Sequence, residues 1–223
     1  MTDAAPESAL TKGVRTLEVR WILPGQLKTE VADWFGRFRA RVETREDTYL
    51  LDPHLPGLSV KLRGTAALEV KVYQGSPGLL EVADRARGHV ESWQKWSFPY
   101  ERPTQGQGSG EVAGWRPVHK RRRISSITPT DEPARTRSPG TAQAWCEVEL
   151  TEIRARGEAW WSLGFEVSGP ADLLRSELDG TAALVFAQPL PGDAQLGTDD
   201  SCSYEDWLRR PPQHGIGTRR ATR

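Results

Sequence analysis

The chain has 223 residues, of which 30 are Lys or Arg and 30 are Asp or Glu, so its formal net charge is zero. That balance excludes the overall basicity of a general nucleic-acid coat, and any polyanion site must be built locally. A hydrophobic fraction of 37% against 27% charged residues excludes a disordered composition and suits one domain with a real core. No apolar run approaches the roughly 18 residues that span a bilayer, and Met1 to Lys12 lacks a secretion signal, so a cytoplasmic protein without membrane contact is expected. Cys146 and Cys202 are too few for a disulfide framework and have no metal-ligand spacing.

Arg15 to Leu23 alternates with period two, Leu17, Val19, Trp21 and Leu23 on one face and Thr16, Glu18, Arg20 and Ile22 on the other, which predicts a half-buried strand. Pro24-Gly25 stops it. Leu27 to Ala40 then places Leu27, Val31, Trp34, Phe35 and Phe38 on one side of an amphipathic helix. Val42 to Leu51 predicts a strand with Glu43, Arg45, Asp47 and Tyr49 on a common face. Gly57 to Gly64 and Ala67 to Gln74 predict an antiparallel hairpin across Gly64-Thr65-Ala66, with Ser59, Lys61 and Arg63 forming the polar face of one arm and Glu69, Lys71 and Tyr73 that of the other.

Val82, Val90, Trp93 and Trp96 predict a second helix from Leu79 to about Trp96, despite Gly88. Pro99 to Gly114 and Thr128 to Thr141 have loop composition. Between them Trp115 to Ser126 predicts a strand carrying Lys120-Arg121-Arg122-Arg123. Ala142 to Arg154 and Glu158 to Ser168 predict a hairpin turning at Arg156-Gly157. Gly169-Pro170 opens a short helix to about Leu178, Thr181 to Ala187 reads as a last apolar strand, and Pro189 to Arg223 as a polar tail with one amphipathic turn around Trp207. The expected organisation is a flexible N-terminus over 1–13, one domain over 14–188 with flexible loops near 99–114 and 128–141, and a polar C-terminal tail over 189–223.

About eight mainly antiparallel strands with a few helices make the class α+β, and a sheet curled into a closed barrel is the most economical architecture. Two arrangements fit the alternation: a half-solvated sheet, or an inverted barrel whose charged faces line a central tunnel. On those faces lie Arg20, Arg45, Lys61, Arg63, Lys71, Lys120 and Arg122, together with Glu18, Glu69, Glu147, Glu149 and Glu166. Several Lys and Arg donors from different directions suit a polyphosphate. Carboxylates beside it imply a divalent cation in between; the alternative is mutual neutralisation by ion pairs on a wet face. Arg121 and Arg123 point away from Lys120 and Arg122 in a regular strand. The apolar flanks Val118 and Ile124 favour a strand over an RNA-binding or nuclear-localisation arm, so there is no strong case for nucleic acid. His54, His89, His119 and His214 are scattered, Ser, Cys and His offer no triad, and neither a Walker A sequence nor G-x-G-x-x-G occurs.

The order of these motifs resembles the CYTH superfamily of triphosphate tunnel metalloenzymes, over about Arg15 to Ala187. The resemblance is carried by Arg45-Glu46-Asp47-Thr48-Tyr49-Leu50, Lys61-Leu62-Arg63, Leu68-Glu69-Val70-Lys71, and then Lys120 and Arg122. It implies an eight-stranded closed tunnel with helices packed outside, and a triphosphate, another phosphorylated small molecule or inorganic polyphosphate held inside by Arg20, Arg45, Lys61, Arg63, Lys71, Lys120 and Arg122. It also implies Mg²⁺ or Mn²⁺ on Glu18, Glu149 and Glu166, with metal-dependent triphosphate hydrolysis as the activity. The chain departs from the family at its defining first-strand pattern E-x-E-x-K, which reads Thr16-Leu17-Glu18-Val19-Arg20. At the last motif Glu166 is flanked on its own face by Gly164 and Ser168 where a second carboxylate is usual. Fewer carboxylates weaken metal binding more than phosphate binding, which sets a non-catalytic binding or sensing protein, or an interaction protein with a degenerate tunnel, beside the hydrolase.

Overall fold

The computed structural model describes residues 13–100, 114–127, 143–192 and 194–211. The expected flexible N-terminus, most of the two expected loops and the end of the expected tail lie outside the described residues. The strands are β1 (Val14–Pro24), β2 (Arg41–Leu50), β3 (Leu58–Arg63), β4 (Ala67–Gly75), β5 (Leu79–Val82), β6 (Ala86–His89), β7 (Glu91–Pro99), β8 (Trp115–Ile127), β9 (Trp145–Ala155) and β10 (Glu158–Ser168). The helices are α1 (Thr29–Gly36), α2 (Leu174–Val185) and α3 (Tyr204–Arg209). Eight strands close into a barrel in the order β1-β10-β9-β8-β2-β3-β4-β7, each pair antiparallel. β5 and β6 form a separate hairpin.

The alternation of each barrel strand sorts its side chains. On β1, β9 and β10 the outward set is apolar: Leu17, Val19, Trp21, Val148, Leu150, Leu163, Phe165 and Val167 are buried in one cluster with Val31 and Phe35 of α1 and Leu174, Leu178, Ala182 and Val185 of α2. Trp21 stands edge-on to Phe165 and Phe186, with ring centroids 6.3 Å apart in each pair. On these strands the sheet is thus inverted, with its oil outside under helices and its charges inside. A second cluster fills one end of the barrel, where inward Ile22, Tyr49, Val118 and Ile153 meet Cys202, Tyr204, Trp207 and Leu208. Ser203 caps α3 by accepting from the Asp206 backbone N–H at 3.1 Å, and Trp207 packs against Trp160 with centroids 5.3 Å apart. α3 is a plug across that end.

Four expectations from the sequence do not hold. The segment from Leu79 to Trp96 is not a helix but β5, β6 and most of β7, because β7 is needed to close the ring between β4 and β1. Gly88 is where Trp21 packs: a Cβ there would lie 2.6 Å from the Trp21 ring and 2.8 Å from Val19. Thr181 to Ala187 is no strand; α2 runs through it to Val185, burying Leu174, Leu178, Thr181, Ala182 and Val185 at helical spacing. The barrel therefore has eight strands with a different eighth member. The first helix spans Thr29–Gly36 rather than Leu27 to Ala40. The segment read as a polar tail packs into the barrel, for Tyr204, Glu205, Trp207 and Leu208 of α3 are buried.

Because the plug rests on large aromatic contacts, Trp207→Ala should destabilise the protein by about 3–5 kcal/mol, read as a lowered midpoint in denaturant unfolding. Leu184→Ala, at a side chain that is 43% exposed, should shift stability by no more than about 0.5 kcal/mol.

Candidate functional site

Away from the apolar end, most of the side chains that alternate inward are charged, and they pair in two chains. In the first, the Lys71 ammonium donates to Glu18 at 2.5 Å and lies 3.8 Å from Glu166. Lys95 donates to Glu166 at 2.7 Å and lies 3.6 Å from Glu69. Glu69 also takes Lys61 at 2.6 Å and Arg63 at 2.8 Å. In the second, Glu149 lies between Arg20, at 3.4 Å, and Arg122. Arg122 reaches on to Glu43, which pairs with Arg45 at 2.9 Å. Asp47 takes Arg45 at 2.9 Å and Lys120 at 3.0 Å, and Lys120 also donates to the Tyr49 hydroxyl at 2.6 Å.

These pairs set the protonation states. Burial pushes the Asp47, Glu69 and Glu149 carboxyls up, but neighbouring cations outweigh it and hold all three well below the usual range: Lys120 and Lys61 at Asp47, Lys61 and Lys71 at Glu69, Arg20 and Arg122 at Glu149. Glu166 is held at about 2, burial being outweighed by Lys71 and Lys95. Burial lowers Lys120 to about 8, with Asp47 opposing. Lys71 rises despite its burial because Glu166 and Glu18 flank it.

All seven cations predicted from sequence line one cavity, and so do Glu18, Glu149 and Glu166. Glu147 stands apart, 3.1 Å from Arg41 and partly exposed. Exposure rises from 0% at Asp47 and 2% at Lys120 to 34% at Arg63 and 36% at Glu43. Exposure therefore grows away from α3, and among the described residues the barrel interior is a well that opens toward the end opposite α3. At its floor the Tyr204 ring lies 3.5 Å from the Lys120 ammonium and 4.8 Å from the Arg20 guanidinium, while the Glu205 carboxylate accepts from the Ser59 hydroxyl. The free space is only about 40 Å³, room for a few waters. Gly164 leaves room for Arg20: a Cβ there would lie 2.7 Å from the Arg20 guanidinium, so a side chain at that position would push Arg20 aside.

The sequence pattern did not reveal Glu91 and Trp93 as lining residues, Lys95 as the partner of Glu166 and Glu69, or Tyr204 and Glu205 at the floor. A signal for the first three exists, since Glu91, Trp93, Lys95 and Ser97 alternate on one face of β7, but Val90, Trp93 and Trp96 also match helical spacing. Glu205 carries no signal that separates it from a surface residue.

A Mg²⁺ or Mn²⁺ ion prefers about six oxygen ligands, several of them water, with at least one or two free carboxylates. Here Glu18, Glu149 and Glu166 are each engaged by Lys or Arg, and among the described residues no three His, Cys, Asp or Glu side chains gather as a metal-binding group. The donor set does not fit a resident divalent cation.

Neither a family model nor a curated protein sequence matches the chain. Among solved structures it is similar to a conserved hypothetical protein from Pyrococcus furiosus at 13% identity and a TM-score of 0.44, covering 85% of this chain and 98% of that one. It is also similar to the S. pombe RNA triphosphatase Pct1, solved in complex with the Spt5 CTD, at 11% identity and a TM-score of 0.37, covering 82% and 83%. The Mimivirus capping enzyme triphosphatase follows at 10% identity and a TM-score of 0.38, covering 76% and 89%. At such distances the likeness is one of chain course, and a function for this chain has to come from its own side chains.

Glu91 differs from the paired carboxylates. Its oxygen accepts from the Trp93 indole N–H at 3.0 Å, and burial, with Glu18 nearby, pushes its carboxyl from 4.5 up to about 7. A raised carboxyl contributes stability that is fully present below about pH 4.5 and lost as pH rises through about 7. Unfolding midpoints measured across that window should fall with rising pH in the native protein, and less steeply in Glu91→Gln; equal slopes would remove Glu91 from the balance.

Proposed function

We propose that the chain binds a triphosphate, or a phosphorylated small molecule or inorganic polyphosphate of similar charge, in the barrel well. The observation that supports this reading is the convergence of Arg20, Arg45, Lys61, Arg63, Lys71, Lys120 and Arg122, carried by β1, β2, β3, β4 and β8, on one cavity. Internal carboxylates pair with these cations, as competitors that phosphate oxygens displace. The free space is smaller than a triphosphate, so binding opens ion pairs, beginning at Arg63 and Lys95 near the mouth. The Nε atoms of Arg63 and Arg122 are buried without a hydrogen-bond acceptor, a shortage that an incoming anion relieves. Binding in this reading needs no metal, in keeping with the engaged carboxylates.

Tripolyphosphate titrated by calorimetry at low salt tests it. Arg63→Ala and Lys95→Ala should each weaken binding by roughly 1.5–3 kcal/mol, the scale of hydrogen bonds to charged groups, and added salt should weaken it further. Glu166→Gln removes a competing anion and should tighten binding in the presence of a chelator. Absence of saturable binding would instead make the paired interior a purely structural core, and phosphate release that depends on added Mg²⁺ or Mn²⁺ would restore the hydrolase reading.

A further inference from the structure

Beside the plug lies a second cavity of about 270 Å³, lined by Leu58, Tyr73, Glu91, Trp93, Glu205 and Asp206 among others. We infer that this groove is a binding site for a small organic ammonium group, distinct from the phosphate well and independent of any ligand there.

Its walls carry the two features that recognise such a cation. The Tyr73 and Trp93 rings meet as an edge-to-face corner, with centroids 5.2 Å apart and planes at 65°, and both line the groove, Tyr73 being 39% exposed. Aromatic faces attract ammonium groups through their quadrupole, more strongly when water is excluded. Carboxylates supply the rest. Asp206 is matched by Arg209 at 3.4 Å, a guanidinium that also lines the groove. Glu91 and Glu205 are held only by neutral donors, the Trp93 indole and the Ser59 hydroxyl. No Lys, Arg or His pairs with either among the described residues, whereas Glu18, Glu69, Glu149 and Glu166 inside the barrel all have cation partners.

The charged and titratable groups around Glu91 point the same way. Glu18 faces it from β1, and Glu205 and Asp206 act on it from α3. Tyr73 of β4, His89 of β6, and Asp199 and Arg210 share the neighbouring groove that Glu91 also lines. A mobile cation lodged against Glu91 would supply the counter-charge that Glu91 and Glu205 lack among the described residues. Glu91, Trp93, Ser203 and Glu205 line both the groove and the well, so the ammonium would sit one layer of side chains from the anion site.

The probe is tetramethylammonium chloride, titrated into the full chain by calorimetry at about pH 8, where Glu91 is ionised, against sodium chloride at matched ionic strength and without phosphate compounds. Saturable binding is expected, weakened about two- to fivefold in Tyr73→Leu, which keeps bulk but removes the π face, and about tenfold or more in Glu91→Gln. Tyr73→Leu alters a partly exposed ring and should fold normally, so it decides the matter should Glu91→Gln prove unstable. Heats indistinguishable from those of sodium, or binding that Tyr73→Leu leaves unchanged, would overturn the proposal. Because phosphate is absent throughout, the result stands apart from the outcome of the tripolyphosphate titration.

Discussion

The structure depends on one constraint: charges turned into a closed barrel must find partners there. Taking an ion out of water costs several kcal/mol, repaid only when geometry supplies an opposite charge and further hydrogen bonds. Glu18, Glu43, Asp47, Glu69, Glu149 and Glu166 each have a Lys or Arg within 4.0 Å, and most bridge two. The same pairing protects the register. A slip by one residue on β3 would turn Val60 and Leu62 inward and expel Lys61 and Arg63, leaving Glu69 buried with neither of its β3 partners. A partner lost from a buried pair costs about 3–5 kcal/mol, so the ionic interior specifies the pairing of strands whether or not it adds net stability.

Two apolar cores hold this interior in place from different directions. The outer one, under α1 and α2, covers β1, β9 and β10; the other closes an end through α3. Between them β1, β9 and β10 carry oil on the face under the helices and ion pairs on the inner one. Tyr49 and Tyr204 mark the boundary: both rings are buried, 5.8 Å apart, and each places a hydroxyl on a polar neighbour, Lys120 for Tyr49 and Ser162 for Tyr204. Aromatic rings with polar tips suit such a seam because one end is apolar and the other satisfied.

How much of this is legible in the sequence follows from what alternation encodes. Period two assigns a side chain to a face, and that pattern alone puts Arg20, Lys61, Lys71 and Lys120 on the polar faces that turn inward. It does not say which strand is the neighbour. That Glu149 lies between Arg20 and Arg122, or that Lys95 joins Glu166 to Glu69, depends on the barrel order β7-β1-β10-β9-β8, which is long-range information. The two misread segments share a cause. Short apolar runs such as Thr181 to Ala187, and large apolar residues spaced like Val90, Trp93 and Trp96, satisfy more than one period, and packing decides between them. The plug is legible only as an amphipathic turn at Trp207, because six residues of helix have no stable existence apart from the barrel end they cover.

The distribution of residue types along the well gives its charge a direction. Near the mouth the cations include the guanidiniums of Arg63 and Arg45, which do not lose protons in proteins. At the floor stands Lys120, whose burial brings it to about 8, beneath the Tyr204 ring. The Arg20 guanidinium stands beside it at the floor, so the positive charge there is titratable only in part. Asp47 stays ionised at any ordinary pH because Lys120, Lys61 and Arg45 surround it. Raising the pH through 8 removes one positive charge from the floor and none of its negative charge. The floor then becomes more negative while the mouth is unaltered, so the well stays attractive at its rim and grows less so with depth.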